Sequence, residues 1–252
     1  MKVLHVYRTY FPDTQGGLEE TIRQICTNTR QYGVDSRVFC LSRAPHPKII
    51  HLPEADVYRA PLTFEVASCG FSLYAIVIFR QLLGWADIVH YHFPWPFADI
   101  LHFCARVKKP TVVTYHSDIV RQQGLLKLYQ PLMSRFLSRV DKIVSTSPNY
   151  LKSSDTLRHY AEKVEIIPIG LNRASYPHLN PEILEQVRTE IGNNFFLFIG
   201  VLRYYKGLHV LLEAAQKSDL KIVIAGKGPE ENRLKEQARK LGLANVQFVG
   251  FV

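Results

Sequence analysis

Short apolar runs alternate with helix-period segments along most of this chain, and that alternation restricts the fold more than any other feature. Val3-Leu4-His5-Val6-Tyr7 reads as a first strand, followed by a loop from Thr9 to Gln15 containing Pro12 and Asp13. Gly16-Gly17 then opens a helix whose positions Leu18, Ile22, Ile25, Cys26 and Thr29 follow the 3.6-residue period, with Gly33 suited to its C-terminal cap. Arg37 to Leu41 is a second strand; a Pro-rich loop, a short strand near Val57 and an apolar helix from about Phe71 to Leu83 come next. Asp87 to His92 is a strand stopped by Pro94 and Pro96, and a helix then runs to about Val107. The strand Thr111 to Tyr115, a helix from Gly124 to Val140, the strand Lys142 to Ser145, a helix from Asn149 to Tyr160 and the strand Val164 to Ile167 complete the series. Parallel neighbours need a crossover rather than a hairpin, so strands separated by helices at this spacing predict a parallel, doubly wound α/β domain.

Residues Leu171 to about Pro181 are rich in Asn, Pro, Ser and His and predict a linker, which divides the chain into a domain over 1–172 and another over 173–252. The second part opens with the apolar run Phe195 to Ile199, short enough for a strand buried on both faces. Gly200 ends that run, and Arg203-Tyr204-Tyr205-Lys206 leads through Gly207 into a helix to about Lys217. A strand that turns through glycine into a helix presents free N–H groups to an anion, and Arg203 and Lys206 add two full charges beside them. An ordinary connection carrying two solvated cations is the competing reading. The strand Lys221 to Ala225, the turn Gly226-Lys227-Gly228-Pro229, a helix from Glu230 to Leu241 and the strand Val246 to Val249 follow. Three strands and their helices leave apolar faces uncovered, so this second domain is expected to be incomplete.

Composition removes several classes. A hydrophobic content of 47% with 21% charged residues is that of a globular chain rather than a disordered one. The start is a strand pattern rather than a signal peptide, and the apolar stretch from Phe71 to Leu83 is broken by Arg80 and Gln81, well short of a membrane span. Cys26, Cys40, Cys69 and Cys104 lack metal-ligand spacing and are expected to be reduced core residues of a cytoplasmic protein. The net charge of +9 points to an anionic partner: nucleic acid, a membrane surface or a phosphorylated small molecule. The cations are scattered and no nucleic-acid-binding signature is present, which argues against nucleic acid. The helix after Gly124 carries Lys127, Arg135 and Arg139 beside many leucines; a core helix with a solvated edge is the plainer reading, and a membrane-surface helix the alternative.

Ligands of open parallel sheets collect at the carboxyl ends of the strands, and the chemically suggestive residues fall there. Gly16 and Gly17 allow close backbone approach, although neither a dinucleotide fingerprint nor a P-loop is present and a plain tight turn would use them equally. His90 and His92 share one strand face; His92, nearer the strand end, is the expected pocket residue and His90 the expected buried one. A lone strand histidine is more often structural, but His116 ends a second strand, and two such ends favour a functional reading. Asp118 is placed to orient His116, to contact a sugar hydroxyl or to cap the following segment. No HExxH or other metal-ligand spacing occurs, so no metal site is expected, and no nucleophile elbow is present.

In their order along the chain these pieces resemble the retaining glycosyltransferases of family 4, enzymes of the two-Rossmann-domain GT-B fold. The likeness rests on the first loop with Gly16, Gly17 and Glu19, on DIVHYHFP at 87–94, TYHSD at 114–118, IIPIGL at 166–171, IGVLRYYKG at 199–207 and AGKGP at 225–229, and it extends over essentially the whole chain. Bacterial mannosyltransferases of O-antigen and lipopolysaccharide assembly are the nearest in kind. The resemblance implies that Gly16 and Gly17 approach the donor diphosphate and acceptor, that His92 contacts the transferred sugar near the reaction centre, and that His116 and Asp118 line the acceptor cleft. It further implies that Arg203 and Lys206 bind the diphosphate, that Gly226 and Gly228 lie near the nucleotide, and that the leaving diphosphate is stabilised without an essential metal. The family usually has Arg directly after the first glycine of the basic turn; Val201 stands there, leaving Arg203 to serve. The family's paired glutamates, which hold the donor sugar and ribose, are expected beyond residue 252, so turnover by this chain alone is not expected.

The expected function is therefore hexosyl transfer from a nucleotide sugar, GDP-mannose by resemblance, to a lipid-linked oligosaccharide, in the cytoplasm or peripherally on the inner face of the membrane. A non-catalytic acceptor- or membrane-binding remnant and a sugar-nucleotide epimerase of the same fold are the alternatives.

Overall fold

The computed structural model describes residues 1–67, 69–119 and 123–251 and divides into two compact units, Met1–Arg173 and Ala174–Val252. In the first unit the strands are β1 (Lys2–Val6), β2 (Asp35–Ser42), β3 (Ile49–His51), β4 (Asp56–Pro61), β5 (Phe64–Val66), β6 (Cys69–Phe71), β7 (Ile88–Phe93), β8 (Thr111–Tyr115), β9 (Lys142–Ser145) and β10 (Val164–Ile166). Its helices are α1 (Gly17–Thr29), α2 (Ala75–Trp85), α3 (Pro96–Cys104), α4 (Gln123–Arg139), α5 (Pro148–Ser153) and α6 (Asp155–His159). Eight of these strands form one sheet in the order β10-β9-β8-β7-β1-β2-β4-β3, parallel throughout except where β3 runs against β4. The chain winds outward from β1 in both directions, so the order reverses between β1 and β7, and their carboxyl ends frame the crevice such a reversal creates.

The period-two alternation of β1 and β7 decides which side chains enter which layer. Leu4 and Val6 of β1 and Val89, Tyr91 and Phe93 of β7 join one core with Phe79 and Leu82 of α2, Leu101 of α3 and Phe136 and Leu137 of α4. Their neighbours point to the opposite face, where Tyr7, Val38, Cys40 and Val57 pack with Ile22 and Cys26 of α1. Arg59, 5% exposed, ties two loops beside this core: its guanidinium donates to Asp13 Oδ1 at 2.5 Å, Ser42 Oγ at 2.9 Å, the Ala44 carbonyl at 2.7 Å and the Pro47 carbonyl at 3.1 Å.

The second unit comprises α7 (Pro181–Ile191), β11 (Phe196–Ile199), α8 (Leu208–Ala215), β12 (Ile222–Ala225), α9 (Glu231–Lys240) and β13 (Val246–Gly250), with a parallel sheet in the order β11-β12-β13. Its core gathers Leu202, Leu208, Leu212, Ile222, Ile224 and Leu234.

Several expectations are corrected. Phe71, expected to open a helix, instead ends the hairpin β5–β6, where it stacks on Phe64 at 5.0 Å; the helix starts only at Ala75, whose N–H donates to Ser72 Oγ at 3.2 Å. The helix expected over 149–160 is two, because Ser154 accepts from the Leu157 N–H and caps a new turn. Helix α7 follows the linker unannounced, capped by Asn180, which accepts from the Glu182 N–H at 2.9 Å, with Pro181 at its first position. The run at Phe195–Ile199 is not buried on both faces: β11 lies at the edge of a three-stranded sheet, and Phe196, Leu197 and Ile199 are exposed while Phe198 packs inward. All four cysteines are free, but Cys104, at the end of α3, is exposed rather than in the core.

Candidate active site

The sheet face opposite α2–α4 brings four histidines together at the β1/β7 reversal. His5 of β1 pairs in register with His90 of β7, and His92, two residues on, pairs with Thr114 of β8. Every second residue faces the same way, so His5, His90, His92, Thr114 and His116 share one side. His5 Nδ1 lies 3.2 Å from His92 Nε2, and His92 Nδ1 lies 3.1 Å from His116 Nε2. His90 Nε2 meets Thr114 Oγ1 at 2.7 Å, and its ring stacks on His92 at a centroid distance of 4.5 Å. The Phe93 carbonyl accepts from the His116 N–H at 3.1 Å, which fixes the backbone of the residue just past β8.

Burial controls the charge of this column. Desolvation lowers His5 and His116 to about 4 and pushes His90 and His92 well below the usual histidine range, and a proton on any one of the neighbouring imidazoles would disfavour a second. Near neutral pH the four rings are uncharged. The expected division of labour between His90 and His92 is reversed: His92 is 1% exposed with both nitrogens engaged, whereas His90 and His116 are half-buried. The end of the column that reaches the surface is His116.

His5, at one end of the chain of rings, was not singled out by sequence reasoning. The signal was available: with Leu4 and Val6 facing the core, alternation puts His5 on the other face, and parallel pairing of β1 with β7 sets it beside His90. His5, His90 and His92 each offer a nitrogen within 4.8 Å of the others, a grouping that could hold a cation. Both nitrogens of His92 already face other imidazoles, however, so coordination would require that chain to open.

The first loop is built around Glu19. Its buried carboxylate accepts from Thr9 Oγ1 at 2.9 Å and Thr14 Oγ1 at 2.7 Å, joining the loop to α1. Gly16, the N-cap residue of α1, is extended at φ −160°, and a Cβ there would come within 2.8 Å of Glu19 Oε2. Gly16 thus leaves room for that carboxylate, while at Gly17 an added methyl would meet nothing within 4 Å. Asp118 is not bonded to His116. Its carboxylate accepts from three hydroxyls, Tyr115 at 2.9 Å, Tyr150 at 3.0 Å and Ser154 at 2.9 Å, and so fastens the segment after β8 to α5 and α6.

In the second unit Arg203 and Lys206 are exposed in the turn between β11 and α8, which closes through Gly207 at φ 70°. Lys206 Nζ sits 5.3 Å from the Tyr205 ring centroid, and among the described residues the Arg203 guanidinium has no ion pair. Gly226 and Gly228 pack this turn against the next. A Cβ on Gly226, at φ 136°, would fall 2.0 Å from the Gly200 carbonyl oxygen, and one on Gly228 2.4 Å from that of Leu202. Leu202 N–H donates to the Lys227 carbonyl at 3.0 Å, and Glu230 N–H donates to the Leu202 carbonyl at 3.1 Å. The two glycines therefore hold the basic turn in place.

Comparison with known proteins agrees with this architecture. The Glycosyltransferase Family 4 profile matches residues 15–175, and the Glycosyl transferases group 1 profile matches residues 180–252. The chain is 52% identical over its full length to the D-rhamnosyltransferase WbpZ of Pseudomonas aeruginosa and 47% identical to the O-antigen chain mannosyltransferase C of Escherichia coli, spanning 66% and 68% of those proteins. Among solved structures, the sucrose-phosphate synthase of Thermosynechococcus elongatus superposes with a TM-score of 0.72 at 17% identity, covering all of this chain and 70% of that one. The HepE protein of Anabaena, solved with UDP-glucose, superposes at 0.71 and 20% identity, covering all of this chain and 69% of that one. The structural likeness carries the fold, GT-B, and the profile match over most of the first unit carries the family: this chain belongs to glycosyltransferase family 4.

Proposed function

We propose that this chain serves a retaining hexosyltransferase of O-antigen assembly, which takes a manno-configured sugar from a nucleotide diphosphate and passes it to a lipid-linked saccharide. The observation that carries this reading is the pair of relatives at 52% and 47% identity across all 252 residues, one named a D-rhamnosyltransferase and the other a mannosyltransferase. D-rhamnose is 6-deoxy-D-mannose, so the two sugars share a ring configuration and differ only at C6. GDP-mannose is the donor we assign.

On the second unit, Arg203 and Lys206 supply the charge for the diphosphate, whose negative charge grows as the glycosidic bond breaks. No metal is required for that step in this reading. On the first unit, Gly16 and Gly17 present backbone to the ligand, and the histidine column supplies neutral hydrogen-bonding groups for sugar hydroxyls through its surface end, His116. The net charge of +9, with Leu125 and Leu128 exposed on α4 beside Lys127, favours peripheral contact with an anionic membrane where a lipid-linked acceptor would lie. Among the described residues no helix is long and apolar enough to cross a membrane.

Calorimetric titration with GDP-mannose and UDP-glucose, followed by nucleotide release in the presence of lipid acceptor, tests the proposal. Binding of GDP-mannose with release upon acceptor addition would establish the transferase, whereas a folded chain that binds neither donor would show that these 252 residues do not suffice for turnover. Acceptor or vesicle binding without release would make it a binding module, and interconversion of sugar nucleotides without acceptor would make it an epimerase.

A further inference from the structure

We propose that His5 is a positioning residue that sets the direction of hydrogen bonding through His92, so that His116 presents an Nδ1–H donor at the carboxyl end of β8. The argument is one of proton counting. A neutral imidazole carries one N–H and one lone pair, so three rings joined by two N···N contacts can be protonated consistently in only two ways. In the first, His5 Nδ1–H donates to His92 Nε2, His92 Nδ1–H donates to His116 Nε2, and His116 is left with Nδ1–H. In the second every bond is reversed: His116 Nε2–H donates inward, His5 ends with Nε2–H, and His116 Nδ1 is a bare acceptor. The contacts at 3.2 and 3.1 Å serve either direction, and burial keeps the rings neutral, so neither distance nor charge chooses between them.

The buried end chooses. His5 is 1% exposed, and its Nε2 is buried with no hydrogen-bonding partner among the described residues. The second arrangement would put an N–H at that position, and orphaned buried N–H groups are rarer in proteins than underused acceptors. The first puts only a lone pair there. His5 therefore works as a one-way stop: among the described residues its single polar side-chain partner is His92, so its proton sits on Nδ1 and the whole chain points toward His116. The consequence at the surface end is chemical. His116 offers a hydrogen-bond donor, which a phosphoryl oxygen or a hydroxyl oxygen of a nucleotide sugar can accept, in place of a bare acceptor, which a phosphoryl oxygen would repel.

The identity of that ligand rests on the transferase reading; the direction of the chain does not, and the experiment separates the two. Histidine-selective ¹⁵N and ¹³C labelling of the 252-residue chain reports the tautomer of each ring by NMR with no ligand present. Nδ1–H forms of His5, His92 and His116 are expected. In His5→Leu, which removes the donor, His92 and His116 should lose the uniform Nδ1–H form; in His5→Asn, whose amide N–H falls where Nδ1–H was, it should be retained. A wild-type His116 in the Nε2–H form, a His5→Leu protein that is folded with its tautomers unchanged, or a stoichiometric bound metal in the purified protein would each overturn the proposal. If His5→Leu does not fold, the wild-type tautomers and the His5→Asn protein still decide the question. In the ligand arm, GDP-mannose affinity should fall roughly 3- to 10-fold in His5→Leu and recover in His5→Asn, the size of one neutral hydrogen bond. Absence of GDP-mannose binding by the wild type, with the tautomers as expected, would remove the donor assignment and leave the chain direction standing.

Discussion

Replacing Gly228 by Ala should unfasten the second unit's basic turn, and the size of the effect follows from the contacts. A Cβ at this position would lie 2.4 Å from the Leu202 carbonyl oxygen, 2.6 Å from its nitrogen and 2.8 Å from its carbonyl carbon. All three are backbone atoms, so no side-chain rotation relieves the overlap, and the two turns must part by about 1 Å to restore ordinary contact. That separation breaks the bonds from Leu202 N–H to the Lys227 carbonyl and from Glu230 N–H to the Leu202 carbonyl. Two backbone hydrogen bonds contribute roughly 2 kcal/mol together, and displacement of the fully buried Leu202 side chain brings the expected loss to about 2–4 kcal/mol. Hydrogen exchange read by mass spectrometry over residues 196–250 measures this unit directly, and 2 kcal/mol corresponds to roughly thirty-fold less protection. Gly17→Ala is the contrasting control: an added methyl there has open space at the first position of α1, so stability should be unchanged or rise by about 0.5–1 kcal/mol. If Gly228→Ala leaves protection within a factor of two of wild type, the packing account of that glycine is wrong.

Three further outcomes are expected. Alanine at both Arg203 and Lys206 should weaken GDP-mannose binding by several kcal/mol at most, since charge-assisted bonds contribute ~1.5–3 kcal/mol each, and unchanged calorimetric affinity would sink the diphosphate assignment. Arg59→Met should lower stability by about 3–5 kcal/mol in thermal or urea unfolding, because the partly buried Asp13 loses its partner and the Ala44 and Pro47 carbonyls lose their donor; a loss under about 1 kcal/mol would contradict this. Stability should also fall on acidification. His5, His116 and His102, a buried residue of α3, are lowered from 6.5 to about 4 in the folded state, so between those values the unfolded chain binds protons the folded chain refuses. Their contribution is complete above pH 6.5 and declines as pH falls toward 4, by about 2 kcal/mol for His5 alone at pH 5, and urea midpoints that match at pH 7 and pH 5 would refute it.

Where each side chain's fate depended on its neighbours along the chain, the sequence was enough. Alternation in Leu4-His5-Val6-Tyr7 and Val89-His90-Tyr91-His92 assigns strand and face together, and the helices between them force parallel crossovers, so the doubly wound unit and the carboxyl-end location of its histidines were legible. The hairpin β5–β6 was not, because strands of three residues carry too little period to stand out beside the apolar helix that follows.

What the tertiary structure decided was which of these side chains meet. His5 and His92 are 87 positions apart, and only the pairing of β1 with β7 at the sheet's reversal brings their nitrogens within hydrogen-bonding range. The same holds for Gly228, whose need to be glycine comes from the Leu202 backbone of a neighbouring turn, and for Asp118, claimed by Tyr150 and Ser154 rather than by the adjacent His116. Burial, too, belongs to the folded state: His92 is sealed, and β11, whose apolar run promised a core strand, lies at a sheet edge with Phe196, Leu197 and Ile199 exposed. Local periodicity fixes direction along one element. Contact, charge state and burial depend on packing between elements, and for these the chain's own order is silent.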